Sequence, residues 1–358
     1  MQKIHLILNG KSASRPDVRE AVHQVRSSGV EVDVYVTWEG GDAGRFAQKA
    51  VACGSGVVVA GGGDGTVNEV LNGLMASGQH ATLAILPLGT ANDFATSAAV
   101  PVASPLDALL LAAHGRATPM DVGLVNGRHF LNVASGGFGA VVTEHTSEHL
   151  KHLIGGGAYA LSAAVMALSE HPYSGRLITP EQVFEGSMVM MAVGNGRQAG
   201  GGALLTPQAC IDDGLFDVMV GPHHDKNRLG HLLSDLLQLK HGQSEHFRYF
   251  RTGSVRVESQ QQLQFNLDGE PLRGTAFDFS VVPRAIDFVF PDHSPLLSSG
   301  EGRALDHSNP DRYTPGAKQQ ENAFCHWTVA ASAASFRLKC WHKSSTNCGR
   351  SMASPKWC

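Results

Sequence analysis

The sequence predicts an α/β protein in two parts, an N-terminal doubly wound α/β domain and a C-terminal antiparallel β-sandwich domain. Three observations predict it. Segments of strand and helix character alternate through the first 120 residues, the pattern of parallel strands joined by helical crossovers. Past Met120, strand segments follow one another with only two helical interruptions, as in antiparallel sheets. The chain has 358 residues, enough for two domains of ordinary size.

Residues 4–8 form an apolar run ended by Asn9-Gly10. A helix opening near Pro16 then puts Val18, Ala21, Val22 and Val25 on one face. Residues 31–36 alternate polar positions with valines and read as a strand, 42–52 as a helix, and 56–60 as a fully apolar strand. A helix with Val67, Val70, Leu71, Leu74 and Met75 in step follows. Residues 82–86 are another buried strand and 106–114 another helix. Beyond them, Asn126-Gly127 between the apolar runs 122–125 and 130–133 marks a hairpin. Residues 187–193, 215–220, 254–257, 262–267, 277–282 and 286–290 read as strands, with helices near 159–168 and 229–239. The expected division is 1–121 and 122–297, with the last strand free to return to the first domain.

Composition excludes several classes. Hydrophobic residues make up 42% and charged residues 17%, so the chain as a whole has the material for a core and is not disordered. Net charge is −4, which leaves no basic surplus for nucleic acid. Residues 1–297 hold only Cys53 and Cys210, too few for a disulfide framework, and a reducing compartment is expected. The longest apolar helical stretch, 158–168, is well short of the ~20 residues that span a bilayer, and the start of the chain lacks a signal-peptide run. A soluble, cytoplasmic protein of unspecified oligomeric state is expected.

Residues 298–358 break with the rest in composition. They hold Cys325, Cys340, Cys348 and Cys358 and three of the four tryptophans. They have eight basic and four acidic side chains, against 20 and 28 in residues 1–297. No C-x₂-C pair occurs there, so a zinc site is not expected. A disordered or atypical tail, dispensable for activity, is.

The chemistry concentrates in Val57-Val58-Val59-Ala60-Gly61-Gly62-Gly63-Asp64-Gly65-Thr66-Val67-Asn68-Glu69. A buried strand enters a glycine loop that opens a helix, which suits a phosphate: glycines allow close approach and the helix start offers unpaired N–H groups. A capping box between Thr66 and Glu69 is also expected. The next strand ends in Leu88-Gly89-Thr90-Ala91-Asn92-Asp93. Loops at the C-terminal ends of parallel strands share one edge, so Asp64 and Asp93 should face one crevice, with Thr37 able to join them. Asn92 or Asp93 could equally serve only as a helix cap.

Other patterns fail. Gly10-Lys11-Ser12 resembles the end of a P-loop, but His5 stands where its first glycine belongs. Gly194-Asn195-Gly196-Arg197-Gln198-Ala199 fits a dinucleotide pattern without the helix that must follow. His145, His149 and His152 share a helix face, and a solvated face is the simpler reading; His223-His224 reads as loop. By themselves, Asp212-Asp213-Gly214 and Asp268-Gly269-Glu270 read as hairpin turns.

Taken in order, the Gly61–Thr66 and Leu88–Asp93 motifs, Gly194 to Gly202, Asp212-Asp213-Gly214-Leu215-Phe216-Asp217 and Leu267-Asp268-Gly269-Glu270 resemble the diacylglycerol kinase catalytic domain family, in its YegS-type bacterial lipid kinase branch. The resemblance covers residues 3 to 297. It implies an active site between the two domains and ATP-dependent phosphorylation of a lipid hydroxyl, phosphatidylglycerol or a diacylglycerol-like molecule, met at a membrane surface. It implies that Thr37, Gly63, Asp64, Gly65, Thr66, Val67, Asn68, Glu69 and Thr90 bind ATP. It makes Glu270 the proton acceptor, with Asp64 and Asp93 in a Mg²⁺ and water network and Asp64 as rival base. A separate Mg²⁺ would sit on Asp213 and the carbonyls of Cys210 and Leu215. The alternatives are an NAD kinase-like phosphotransferase and a non-catalytic nucleotide-binding module.

Overall fold

The structure is a computed structural model that describes residues 3–136, 172–222 and 247–298. The helices expected at 159–168 and 229–239, the row of His145, His149 and His152, His223-His224 and the tail from residue 299 lie outside the described residues.

The first half is built from β1 (Lys3–Leu8), α1 (Pro16–Ser27), β2 (Glu31–Val36), α2 (Asp42–Ala52), β3 (Val57–Gly62), α3 (Asp64–Ser77), β4 (Thr82–Pro87), α4 (Asp93–Ser97) and α5 (Pro105–His114). The strands pair in parallel in the order β4-β3-β1-β2. Both faces are covered. Ile4, Leu6, Val57, Val59 and Ala84 pack with α1 and α5, whereas Ile7, Val58, Ala60, Leu83 and Ile85 pack with α2, α3 and α4. A strand covered on both faces has no polar side to show, which is why β3 and β4 read as continuous apolar runs. Helices α2 and α3 approach closely: a Cβ on Gly73 would lie 2.4 Å from the Gly44 carbonyl oxygen.

The second half holds β5 (Arg116–Val125), β6 (Arg128–Phe130), β7 (Val133–Gly136), β8 (Tyr173–Ile178) and β9 (Val183–Gly194). It continues with β10 (Gln198–Ala199), β11 (Ala203–Leu204), β12 (Phe216–Pro222), β13 (Arg248–Thr252), β14 (Ser254–Leu267) and β15 (Glu270–Phe290). Among the described residues, all pairings within it are antiparallel. Phe130, Phe216, Phe265, Phe277 and Phe279 form the centre of its core. The Asn126-Gly127 hairpin has positive φ at both residues, 47° and 81°, the geometry that selects this dipeptide.

β15 joins the halves. It begins opposite Leu267 on β14, runs antiparallel to β5, and ends parallel to β4 through Asp287 and Phe288. The sequence divides this strand into 277–282 and 286–290, but it is one strand with a shifted register between Val282 and Ile286. The cause is local: the Arg284 N–H bonds Oδ1 of Asp121 at 2.7 Å, with Arg284 at φ 50°. The single strand fixes Glu270, at its first residue, relative to the parallel sheet.

Candidate active site

The ends of β1, β2 and β3 meet. Asn9 donates from Nδ2 to Thr66 Oγ1 at 3.2 Å, and the Gly10 N–H donates to Thr37 Oγ1 at 3.2 Å. Gly63 caps α3 in extended conformation, so the helix begins at Asp64. Thr66 is thus inside the first turn, which corrects the expected capping box: its hydroxyl serves Asn9, and Glu69 Oε2 instead accepts from the Gly41 N–H at 3.2 Å.

The second glycine loop lies against the first. A Cβ on Gly89 would be 2.4 Å from Gly63 Cα, and one on Gly62 2.4 Å from Thr66 Oγ1. These distances leave no room for a side chain at either position: Gly89 is accounted for by backbone approach to Gly63, and Gly62 by the Thr66 side chain packed over it. Asn92, at φ 51°, closes the loop by accepting from Gly89 N at 2.9 Å and donating to Gly89 O at 2.8 Å. Thr90 is exposed at its tip.

The two halves are tied across this region by side chains. Asp93, buried, accepts from the N–H groups of Gly201 at 2.9 Å and Gly202 at 2.6 Å. That is more than a helix cap, and it explains the glycine run that fitted no dinucleotide motif. Asp268 Oδ2 accepts from Asn68 at 3.0 Å and Leu131 N at 2.6 Å, and its Oδ1 accepts from Asn132 N at 2.9 Å. The Asp268-Gly269 turn is the expected β14–β15 hairpin, with φ 50° and 103°. Glu270, exposed just after it, brings Oε1 to 3.6 Å from where a Cβ of Gly65 would be.

Asp64 is half-buried. Burial first, then the nearby carboxylates of Asp93 and Asp268, push it up to about 6 from an ordinary 3.8. A group this short of positive charge suits a cation arriving with phosphates. A cleft of about 430 Å³ opens between α2, α3 and the start of β15, lined by Arg45, Asn68, Glu69, Asn72, Arg128 and Glu270 among others; Thr37, Asp64, Thr90 and Asp93 do not line it. Two of the residues expected to bind ATP have other duties: Val67 packs in the core with its N–H on Gly63 O, and Asn68 is held by Asp268.

Cys210, Asp213 and Leu215 do not line this cleft. Their loop is no hairpin turn, since β12 pairs with β9 and β13. It is braced by Asp121, which accepts from Gly214 N at 2.7 Å, and by Asp212, which bonds Ser298. Asp213 Oδ1 accepts from Leu215 N at 3.0 Å, and its Oδ2 is paired with Arg251, which also approaches Asp217 Oδ2 at 3.4 Å. With Arg251 supplying the positive charge, the Asp213 carboxylate does not fit a divalent cation as arranged. Among the described residues, no three His, Cys, Asp or Glu side chains converge as metal ligands. Sequence reading missed Asp121, Asn132 and Asn195. Asn195 is fully buried and donates to the carbonyls of Asp121 and Leu131; buried polar residues of this kind carry no periodic signal.

Residues 3–125 match the family described as diacylglycerol kinase catalytic domain, and 132–290 the YegS C-terminal NAD kinase beta sandwich-like domain. The chain is 46% identical over 295 residues to a protein of Pseudomonas aeruginosa (strain UCBPP-PA14) named "Probable lipid kinase YegS-like", covering 82% of this chain and 96% of that one. A protein of the same name from Chromohalobacter salexigens is 45% identical over 298 residues, covering 82% and 94%. The crystal structure of a diacylglycerol kinase from Bacillus anthracis str. Sterne superposes with a TM-score of 0.62 at 23% identity, covering 81% of this chain and 97% of that one, and shares the fold. The glycine loops, the β15 hairpin and these likenesses together assign the chain to the YegS-type lipid kinase family, built on the diacylglycerol kinase catalytic domain.

Proposed function

We propose that the protein transfers the γ-phosphate of ATP to a lipid hydroxyl, on phosphatidylglycerol or a diacylglycerol-like acceptor, with Glu270 taking the hydroxyl proton. The observation that carries the reading is the approach of the Glu270 carboxylate to Gly65 in the first turn of α3. The turn's backbone N–H groups are suited to hold phosphates, and a general base must stand within reach of the acceptor placed beside them. Thr37 and Thr90, past the ends of β2 and β4 on the same edge of the sheet, would border the nucleotide.

Phosphoryl transfer is mostly positioning and charge stabilisation. The ties from Asp93 to Gly201 and Gly202, and from Asn68 to Asp268, hold the two halves in register for it. Mg²⁺, carried with ATP, would be held near Asp64 and would offset the phosphate charge. Asp64 is the rival base, since its carboxylate opens the same helix turn that Glu270 approaches. Dividing the chain at about residue 121 into an ATP-binding and an acceptor-binding unit belongs to the same proposal.

The test is a transfer assay with γ-labelled ATP and Mg²⁺ against a panel of extracted lipids, with NAD in parallel. Label in a lipid supports the reading; label in NAD alone overturns it.

A further inference from the structure

Arg128, half-buried, lines the cleft together with Glu270. It opens β6, opposite Val125 across the Asn126-Gly127 turn. The residue after it is tied to α3 on both sides. Asn72 Oδ1 accepts from His129 N at 3.0 Å, and Asn72 Nδ2 donates to His129 O at 3.0 Å. The tip of the Arg128 side chain is tied as well, with Nη1 donating to the Pro271 carbonyl at 3.1 Å. Pro271 follows Glu270 in the chain. The side chain is therefore held at both ends, with its guanidinium against the residue next to the candidate base.

The rest of that guanidinium is uncommitted. Among the described residues, no carboxylate and no second acceptor meets its remaining N–H groups. Arg45, the other arginine of the cleft, is instead paired with Glu39 and Asp42. The carboxylates that line the cleft are Glu69, whose Oε2 is on Gly41 N, and Glu270. ATP phosphates at the glycine loops would arrive with Mg²⁺ to offset their charge. An acceptor that carries its own anion brings no such ion, and it would meet Glu270 as a like charge. A cation held in place beside Glu270 removes that obstacle, and a planar guanidinium with free N–H groups suits phosphate oxygens.

We propose that Arg128 binds an anionic phosphodiester in the headgroup of the lipid acceptor, and so selects a phospholipid alcohol over a neutral one at the Glu270 carboxylate. In a glycerol headgroup the phosphodiester stands a few bonds from the terminal hydroxyl, so one ligand can meet Arg128 and Glu270 together. A neutral diacylglycerol offers a hydroxyl to Glu270 and no anion to Arg128. The inference deepens the lipid-kinase reading and rests on it for its purpose. Its binding test does not, because binding is read without catalysis.

The native full chain, Arg128→Gln and Arg128→Lys are compared by calorimetry. The ligands are dihexanoyl phosphatidylglycerol and dihexanoylglycerol, each with a saturating non-hydrolysable ATP analogue, and the analogue alone. Transfer from γ-labelled ATP to each lipid is measured in parallel. Arg128→Gln is expected to lose about 10–100-fold in affinity for the anionic lipid, the usual worth of a hydrogen bond to a charged group. The ratio of kcat/KM between anionic and neutral lipid should fall by a similar factor. Arg128→Lys should recover part of the loss, since it keeps the charge without the fork. In the native chain, added inorganic phosphate should compete with the anionic lipid and not with the neutral one, a measurement that stands even if Arg128→Gln does not fold. Equal losses on both lipids would make Arg128 only a brace for Glu270 and overturn the proposal. So would a loss confined to the ATP analogue, which would make the phosphate the nucleotide's. Equal binding by all three proteins, no binding of the anionic lipid by the native chain, or equal competition by phosphate against both lipids would also overturn it. Selective binding without transfer to either lipid would sink the proposed function and leave this site standing.

Discussion

Asn68 of α3 donates a 3.0 Å hydrogen bond to Oδ2 of Asp268, 200 residues away in the turn that delivers Glu270. The same carboxylate receives Leu131 N and Asn132 N. Burial holds its pKa above the ordinary range in spite of these donors, so the contact costs desolvation and is returned as alignment of the two halves.

Replacing Asp268 by Ala strands three N–H donors in a part-buried site. The expected loss of stability is about 2–4 kcal/mol, since each unpaired buried group costs on the order of 1–3 kcal/mol. Denaturant unfolding checks it, and a loss within measurement error would show that the tie holds nothing together.

Gly89→Ala should damage both loops. Its Cβ would sit 2.4 Å from Gly63 Cα and 2.9 Å from Asn92 Oδ1, and such overpacking costs about 1–3 kcal/mol. Weaker ATP binding by calorimetry, together with a lower melting temperature, is the expected outcome. Gly127→Ala, with nothing within 4 Å but φ at 81°, should lower stability and leave ATP affinity alone.

Asp64 makes stability depend on pH in a defined direction. Its folded value of about 6 lies above the ordinary 3.8, so between those pH values the folded state holds a proton that the unfolded state has lost. Its contribution therefore declines as pH rises through that window, and the full penalty is present above it. Asp64→Asn should flatten this slope in nucleotide-free melting curves and raise the melting temperature at pH 7. A variant that melts lower than the native chain at pH 7 would contradict the stated cause.

Arg251→Gln removes the positive charge that pairs with the Asp213 carboxylate and lies 3.4 Å from the fully buried Asp217. Removing one partner of such a cluster is expected to cost about 3 kcal/mol. If Arg251 fills the place of a cation, Mg²⁺ should raise the melting temperature of the variant through this loop more than that of the native chain. Equal shifts in both would show that the arginine and the metal are unrelated.

Much of the first half is legible in the sequence because β1, β3 and β4 are buried on both faces and the helices keep a clear period. The two glycine loops announce themselves by composition, and the structure adds why: Gly63 and Gly89 touch. The sequence misleads where one local rule has a competitor. Thr66 and Glu69 have capping-box spacing, but Gly63 caps the helix and both side chains bond elsewhere. β15 reads as two strands because residues 283–285 interrupt the alternation, whereas Asp121 absorbs the irregularity from another strand. The partners of Asp93 and Asp268 cannot be read at all, since pairs separated by 109 and 200 residues leave no local trace.

The most direct measurement is single-turnover transfer from γ-labelled ATP to the accepted lipid by Glu270→Gln beside the native chain. A general base at this position predicts a rate lower by about 10²–10⁴-fold, the usual worth of such a group, with ATP affinity unchanged. Turnover near the native rate would contradict it and move the proton to Asp64.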